Sequence, residues 1–213
     1  LPVTMEDMVR HTAAVRRGAP NVWLVGDMPY MTYQPSVETA IRHAGRFMAE
    51  CGCDAVKLEG GVEMADRVAG IARAGIPVIG HLGLTPQSVS ALGGFKLQGK
   101  GAAQAKKIVD DARALEEAGA FCILLELVPD RLCQIITERA QHCIIMGLGS
   151  GPHAHGQLLI YHDAFALYPK FKPRMAKVFA DAGAAIREGL NGYVKEVTEK
   201  TFPTQENWFG MPD

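Results

Sequence analysis

One unit recurs along this chain and limits its fold more than any other feature: a short apolar run, a polar residue at its end, then apolar residues at helical spacing. Residues 21–26 (NVWLVG) end at Asp27, and Val37, Ala40, Ile41, Ala44 and Met48 follow at the spacing of an amphipathic helix. Residues 54–58 (DAVKL) end at Glu59, and Ala65, Val68, Ile71 and Ala72 predict a helix that stops at Gly75. Residues 76–80 end at His81, before a long polar, glycine-rich loop that runs through Lys100. Ile108, Val109, Ala112 and Leu115 predict a helix that stops at Gly119, and residues 121–125 (FCILL) end at Glu126. Leu132, Ile135 and Ile136 mark another helix, before residues 143–146 lead into Gly147-Leu148-Gly149-Ser150-Gly151. A sixth strand is expected over 157–161, ending at His162-Asp163. Met175, Val178, Phe179, Ala182 and Ile186 predict a last helical region that breaks and resumes before Val194.

Continuous apolar strands alternating with helices mean an α/β protein with a parallel sheet covered by helices. Asp27, Glu59, His81, Glu126 and Asp163 close strand after strand. That arrangement predicts a (β/α)8 TIM-type barrel, whose active site lies at the carboxyl ends of its strands. An open doubly wound sheet is the alternative, but it would use one crevice rather than nearly every strand end. Six strands fall short of eight, and a partial barrel would expose two long apolar edges, which folded proteins avoid. The first two strands are therefore expected to lie outside the chain, or the architecture to be altered. The first residue is Leu1 rather than Met, which agrees with a start inside a longer sequence. Residues 1–213 are read as one barrel domain, N-terminally incomplete, with C-terminal helices from about residue 173.

Composition narrows the function classes. Lys and Arg (22) nearly cancel Asp and Glu (23), so no basic footprint for nucleic acid is present. No apolar run approaches the ~18 residues of a membrane span, and residues 1–4 do not open a secretory signal. The five cysteines, Cys51, Cys53, Cys122, Cys133 and Cys143, are odd in number. Two of them sit in apolar strand segments. They are expected to be buried free thiols in a reducing compartment. Cys51-Gly-Cys53 lacks the further ligands a zinc site requires.

The strand-end residues carry the chemistry. A carboxylate closing an apolar strand, as at Asp27, is costly to bury unless a cation or donor meets it; a helix cap or a loop salt bridge is the alternative. Lys57 and Glu59 are two apart on a strand and so share a face. Asp27 and Glu59 together suit a hard divalent cation such as Mg2+, which needs few protein carboxylates. A structural ion pair involving Lys57 and Glu59 is the competing reading. Glu126 follows four apolar residues, and desolvation there raises a carboxyl group toward the range of a general base; a rim carboxylate paired with Lys or Arg stays open. His81 is a ligand, a hydrogen-bond donor or a satisfied interior histidine. Gly147–Gly151 does not match a dinucleotide-binding fingerprint and reads as a loop kept small for a substrate. His153 and His155 read as polar loop residues without a third ligand.

Longer motifs now bring a family into view. Val56-Lys57-Leu58-Glu59-Gly60-Gly61, Gly80-His81-Leu82-Gly83-Leu84-Thr85-Pro86-Gln87-Ser88 and Gly93-Gly94-Phe95-Lys96-Leu97-Gln98-Gly99 resemble the ketopantoate hydroxymethyltransferase family. Leu125-Glu126-Leu127-Val128-Pro129, His162-Asp163 and Asp27-Met28-Pro29-Tyr30 fit as well, and the likeness covers essentially the whole chain. It implies a Mg2+-dependent barrel enzyme of pantothenate and coenzyme A biosynthesis. Such an enzyme transfers a one-carbon unit from 5,10-methylenetetrahydrofolate to 3-methyl-2-oxobutanoate, giving 2-dehydropantoate. It also implies a cytoplasmic homo-oligomer, commonly a decamer, with no nucleic-acid or membrane partner. By the same resemblance Asp27 is a metal ligand beside the substrate, Glu59 a metal-associated carboxylate, Lys57 the cation that binds the oxo acid, and Glu126 the general base; His81 is a possible additional site residue.

Three departures qualify the likeness. The family's first two strands, a second metal-binding Asp and an adjacent Ser have no counterpart in residues 1–213. His155 stands where the family usually has Asp, and Ala166 where Gly is common. Two alternatives stay open: a folate-independent 2-oxo acid lyase or decarboxylase on the same scaffold, or an inactive truncated member.

Overall fold

The computed structural model describes residues 1–211. The chain divides into two compact units, Leu1–Leu158 and the residues from Leu159 onward.

In the first unit, helix α1 (Met5–Gly18) precedes strand β1 (Val25–Asp27), α2 (Val37–Cys51) and β2 (Ala55–Glu59). Then come α3 (Ala65–Arg73), β3 (Val78–Gly83), the single turn α4 (Val89–Leu92), α5 (Ala102–Glu117), β4 (Cys122–Glu126), α6 (Asp130–Arg139), β5 (Ile144–Leu148) and β6 (Gly156–Gln157). All six strands are parallel and lie in sequence order, β1-β2-β3-β4-β5-β6. Sequential parallel order with a helix between most strands is the pattern of part of a barrel wall. Among the described residues β1 and β6 are the two edges of the sheet, so the first five expected strands and the class are found, whereas a closed eight-stranded barrel is not.

Local chemistry explains the element ends. Thr4 and Asp7 form a reciprocal capping box at the start of α1. Ser36 accepts from the Thr39 N–H at the start of α2, and Gly52 ends that helix in the left-handed conformation. Leu58, Val78, Ile123, Leu125 and Ile145 share one face of the sheet and are buried, with Phe47, Val68, Ile71, Leu115 and Ile136 of α2, α3, α5 and α6 in the same apolar cluster. Each such side chain stabilises the fold by about 1.5–3 kcal/mol. All five cysteines are free and buried, as the apolar context predicts.

Two expectations are corrected. The sixth strand is only Gly156–Gln157 rather than 157–161. It is an edge strand; after the Leu158 N–H bonds to the Gly147 carbonyl, the Asp163 and Ala164 N–H groups turn back to the Ile160 carbonyl and start the helical turn α7 (Tyr161–Ala164). The last helix, α8 (Ala182–Glu199), begins later than expected and does not break. Asp181 supplies its cap by accepting from the Ala184 N–H, so Met175, Val178 and Phe179 lie in irregular chain before it.

Candidate active site

Parallel pairing brings the strand-end residues to one edge of the sheet. Asp27 lies opposite Lys57, Glu59 opposite His81, and Gly83 opposite Glu126. Gly83 is required here: its φ is 90°, and a Cβ would come within 2.2 Å of the Glu126 carbonyl oxygen. The close approach of β3 and β4 at this end depends on that missing side chain.

The side chains converge as well. The Lys57 ammonium is 2.8 Å from Asp27 Oδ1 and 3.3 Å from His81 Nδ1. His81 Nε2 is 3.1 Å from Glu126 Oε2, and His81 Nδ1 is 3.8 Å from Glu59 Oε1. An ammonium group donates and cannot accept, so Nδ1 of His81 is the acceptor toward Lys57 and the ring proton resides on Nε2. That Nε2 is buried and lacks an aligned hydrogen bond, although the Glu126 carboxylate is adjacent. It is a free donor facing the base candidate.

Electrostatics follow from burial. Desolvation pushes Glu126 up to about 7, against the opposing pull of Lys57. Glu59 also rises to about 7, chiefly by burial, with Asp27 and Glu126 adding to the rise while Lys57 and the Gln87 N–H oppose it. His81 falls to about 3 because burial, and then the Lys57 charge, disfavour imidazolium. The His81 contacts with Glu59 and Glu126 are therefore those of a neutral ring, not ion pairs.

Among the described residues no group of three or more His, Cys, Asp or Glu side chains forms a protein cage for a metal. The donor set still fits a cation that keeps most of its waters. Asp27 is half exposed, and its Oδ1 is a buried oxygen without an aligned hydrogen bond. Glu59 adds a second hard oxygen donor on the neighbouring strand.

Asp27, Lys57, Glu59, His81 and Glu126 are thus brought together, and all belong to the first unit; Asp163 belongs to the second. His155 serves the backbone instead. Its Nδ1 accepts from the Ile145 N–H at 3.0 Å, while its own N–H donates to the Ile145 carbonyl. Sequence reasoning missed Tyr33 and Gln87. Tyr33 is fully buried, with its hydroxyl 2.7 Å from Gln87 Oε1. The signal that could have found Gln87 was its place in the motif that follows His81.

The family model for ketopantoate hydroxymethyltransferase matches residues 1–205. The chain belongs to the ketopantoate hydroxymethyltransferase family. It is 49% identical over 213 residues to the 3-methyl-2-oxobutanoate hydroxymethyltransferase of Clostridium botulinum, covering 100% of this chain and 77% of that relative. The enzyme of the same name from Thermus thermophilus is 50% identical over 210 residues, covering 98% of this chain and 79% of its own. Family members are hydroxymethyltransferases, and this chain is an enzyme of that type. A solved structure of the lyase/mutase type from Burkholderia cenocepacia overlays 94% of this chain and 69% of its own with a TM-score of 0.50 at 15% identity. At that identity it speaks for the fold alone, an α/β architecture of barrel type.

Proposed function

We propose that this hydroxymethyltransferase moves a one-carbon unit from 5,10-methylenetetrahydrofolate to 3-methyl-2-oxobutanoate, producing 2-dehydropantoate for coenzyme A synthesis. The carrying observation is Glu126: a carboxylate at a strand end, raised to about 7, beside a neutral histidine and a lysine. A base with that affinity for protons can take the weakly acidic C3 proton of the oxo acid near neutral pH.

Each residue has a part. Lys57 binds the oxo acid by charge and leans on Asp27 and His81 for its position. Glu126 accepts the C3 proton on a carboxylate oxygen. His81 places its Nε2–H beside that carboxylate. Asp27 and Glu59 would hold Mg2+, which when bound supplies Lewis-acid polarisation of the 2-oxo group. The electron pair left at C3 forms the new C–C bond to the folate methylene carbon. That carbon's bonds to the two folate nitrogens break, water supplies the hydroxyl oxygen, and tetrahydrofolate leaves with its nitrogens carrying the proton from C3 and one from water. The six-stranded sheet is read as part of a (β/α)8 barrel, and the protein as a cytoplasmic homo-oligomer.

The test follows deuterium entry at C3 of 3-methyl-2-oxobutanoate in D2O with Mg2+ and no folate. The native chain should exchange that position, and Glu126→Gln should not, while still binding the oxo acid. Full exchange by Glu126→Gln would remove Glu126 from the base role. Net turnover of the oxo acid without folate would replace the transferase reading by a lyase or decarboxylase.

A further inference from the structure

Gln87 is tied to three parts of the site edge at once. Its backbone N–H, in the first turn of the 3-10 segment Pro86–Ser88, donates to Glu59 Oε2 at 2.9 Å. Its side-chain Nε2 donates to the Met28 carbonyl at 2.9 Å. Its Oε1 accepts from the Tyr33 hydroxyl at 2.7 Å and from Gln34 Nε2 at 3.1 Å. The Tyr33 oxygen in turn accepts from the Glu59 N–H at 3.1 Å, which closes a ring of hydrogen bonds through Glu59, Tyr33 and Gln87.

The directions in this ring are fixed. The Met28 carbonyl can only accept, so the Gln87 amide must turn its nitrogen there and its oxygen to Tyr33. Gln34 is oriented the same way, because its own Oε1 accepts from the Met31 N–H at 2.7 Å. One side chain therefore holds the loop after β1, directly beyond Asp27, while its backbone holds the carboxylate that ends β2. Tyr33 is fully buried, so its hydroxyl has no water to replace a lost partner.

We propose that Gln87, with Tyr33 behind it, is a positioning residue that fixes the Glu59 carboxylate and the Asp27 loop relative to each other. This rests on reading Asp27 and Glu59 as the cation-holding pair. The consequence is specific: the clamp controls how well two carboxylates on separate strands meet one hard cation. Losing such support around metal ligands typically costs about 10–100-fold in metal affinity.

Mn2+ serves as the probe, with free Mn2+ measured by electron paramagnetic resonance in the presence of 3-methyl-2-oxobutanoate. Gln87→Met keeps the length of the side chain and removes its hydrogen bonds; Tyr33→Phe keeps the buried ring and removes the hydroxyl. Gln87→Met should weaken Mn2+ binding about tenfold or more, and Tyr33→Phe should weaken it by a smaller factor. In C3 exchange the metal concentration at half-maximal rate should rise more than the rate at saturating metal falls. Mn2+ binding within twofold of the native chain in both variants would overturn the proposal while leaving the functional reading intact. If Gln87→Met does not fold, Tyr33→Phe decides by the same criterion. Native protein that takes no Mn2+ with the oxo acid would overturn the cation-holding reading and the clamp together.

Discussion

The two units of this chain treat their apolar residues in opposite ways. The first collects Met5, Phe47, Leu58, Leu125, Ile145 and their neighbours into one buried cluster around a parallel sheet. The second buries Ala164, Ala176 and Gly183 but leaves Ile186, Leu190, Tyr193, Val194 and Val197 of α8 exposed. The first unit also carries every charged group of the candidate site. Burying Glu59, His81 and Glu126 costs free energy, and only a unit with a large apolar core can offset it. Reactive, desolvated groups are therefore found where the packing is densest.

Four measurements break or sharpen that contrast. The largest effect is kinetic: Glu126→Gln should slow C3 exchange by about 100- to 10,000-fold, the range for losing a general base. Native exchange should rise with pH through about 7 and then level, because the base must be unprotonated. Next, truncation in the core should cost far more than truncation on α8. Leu125→Ala, at a fully buried site, should destabilise by about 2–5 kcal/mol in denaturant titration. Leu190→Ala, at an exposed site, should change stability by about 0.5 kcal/mol or less; a loss of about 2 kcal/mol there would end the contrast.

A third, smaller effect concerns stability and pH. Glu126 rises from 4.5 in the unfolded chain to about 7 in the fold. Its contribution is therefore intact below 4.5 and is lost as pH rises toward 7, where the fold must hold a charge in a dry place. Glu126→Gln lacks that loss, so at pH 8 it should be more stable than the native chain by about 1–3 kcal/mol, and at pH 5 by much less. Thermal melts at the two pH values check this.

The smallest effect tests the second unit. Ala166 has a φ of 51°, the left-handed region that costs a side chain about 1 kcal/mol. The turn thus forms with an alanine at a position that glycine would take without strain. Ala166→Gly should raise stability by about 0.5–1 kcal/mol in thermal melts, and a decrease would show that the alanine methyl contributes packing that outweighs the strain.

Much of this was legible from residue spacing. Apolar runs located β2, β4 and β5 to within two residues at each end, because a buried strand shows as an unbroken or nearly unbroken apolar run. Strand β3 runs to Gly83, three residues past its expected end, because Gly80 reads as a turn where it is a strand residue. The strand-end carboxylates followed from the same pattern: in parallel strands, every run ends at the same edge. Helix α1 was missed although Met5, Met8, Val9 and Ala13 stand at helical spacing and pack on the core, because the start of the chain was read only for a signal segment and for motif likeness. The end of β6 was misread because QLLIY has the composition of a buried strand, yet β6 is the sheet edge and among the described residues no further strand pairs with it. Tyr33 and Gln87 stayed hidden for another reason. Their importance lies in hydrogen bonds between residues 54 apart, and no local period encodes such a meeting.

The thiols give the first unit a built-in reporter. All five are sealed in it, none paired, and burial raises each of them above its ordinary thiol value. An alkylating dye should therefore find almost nothing to modify in the native chain and a full complement once the sheet opens. The rate of colour development then clocks the breathing of the first unit and stays blind to whatever α8 is doing.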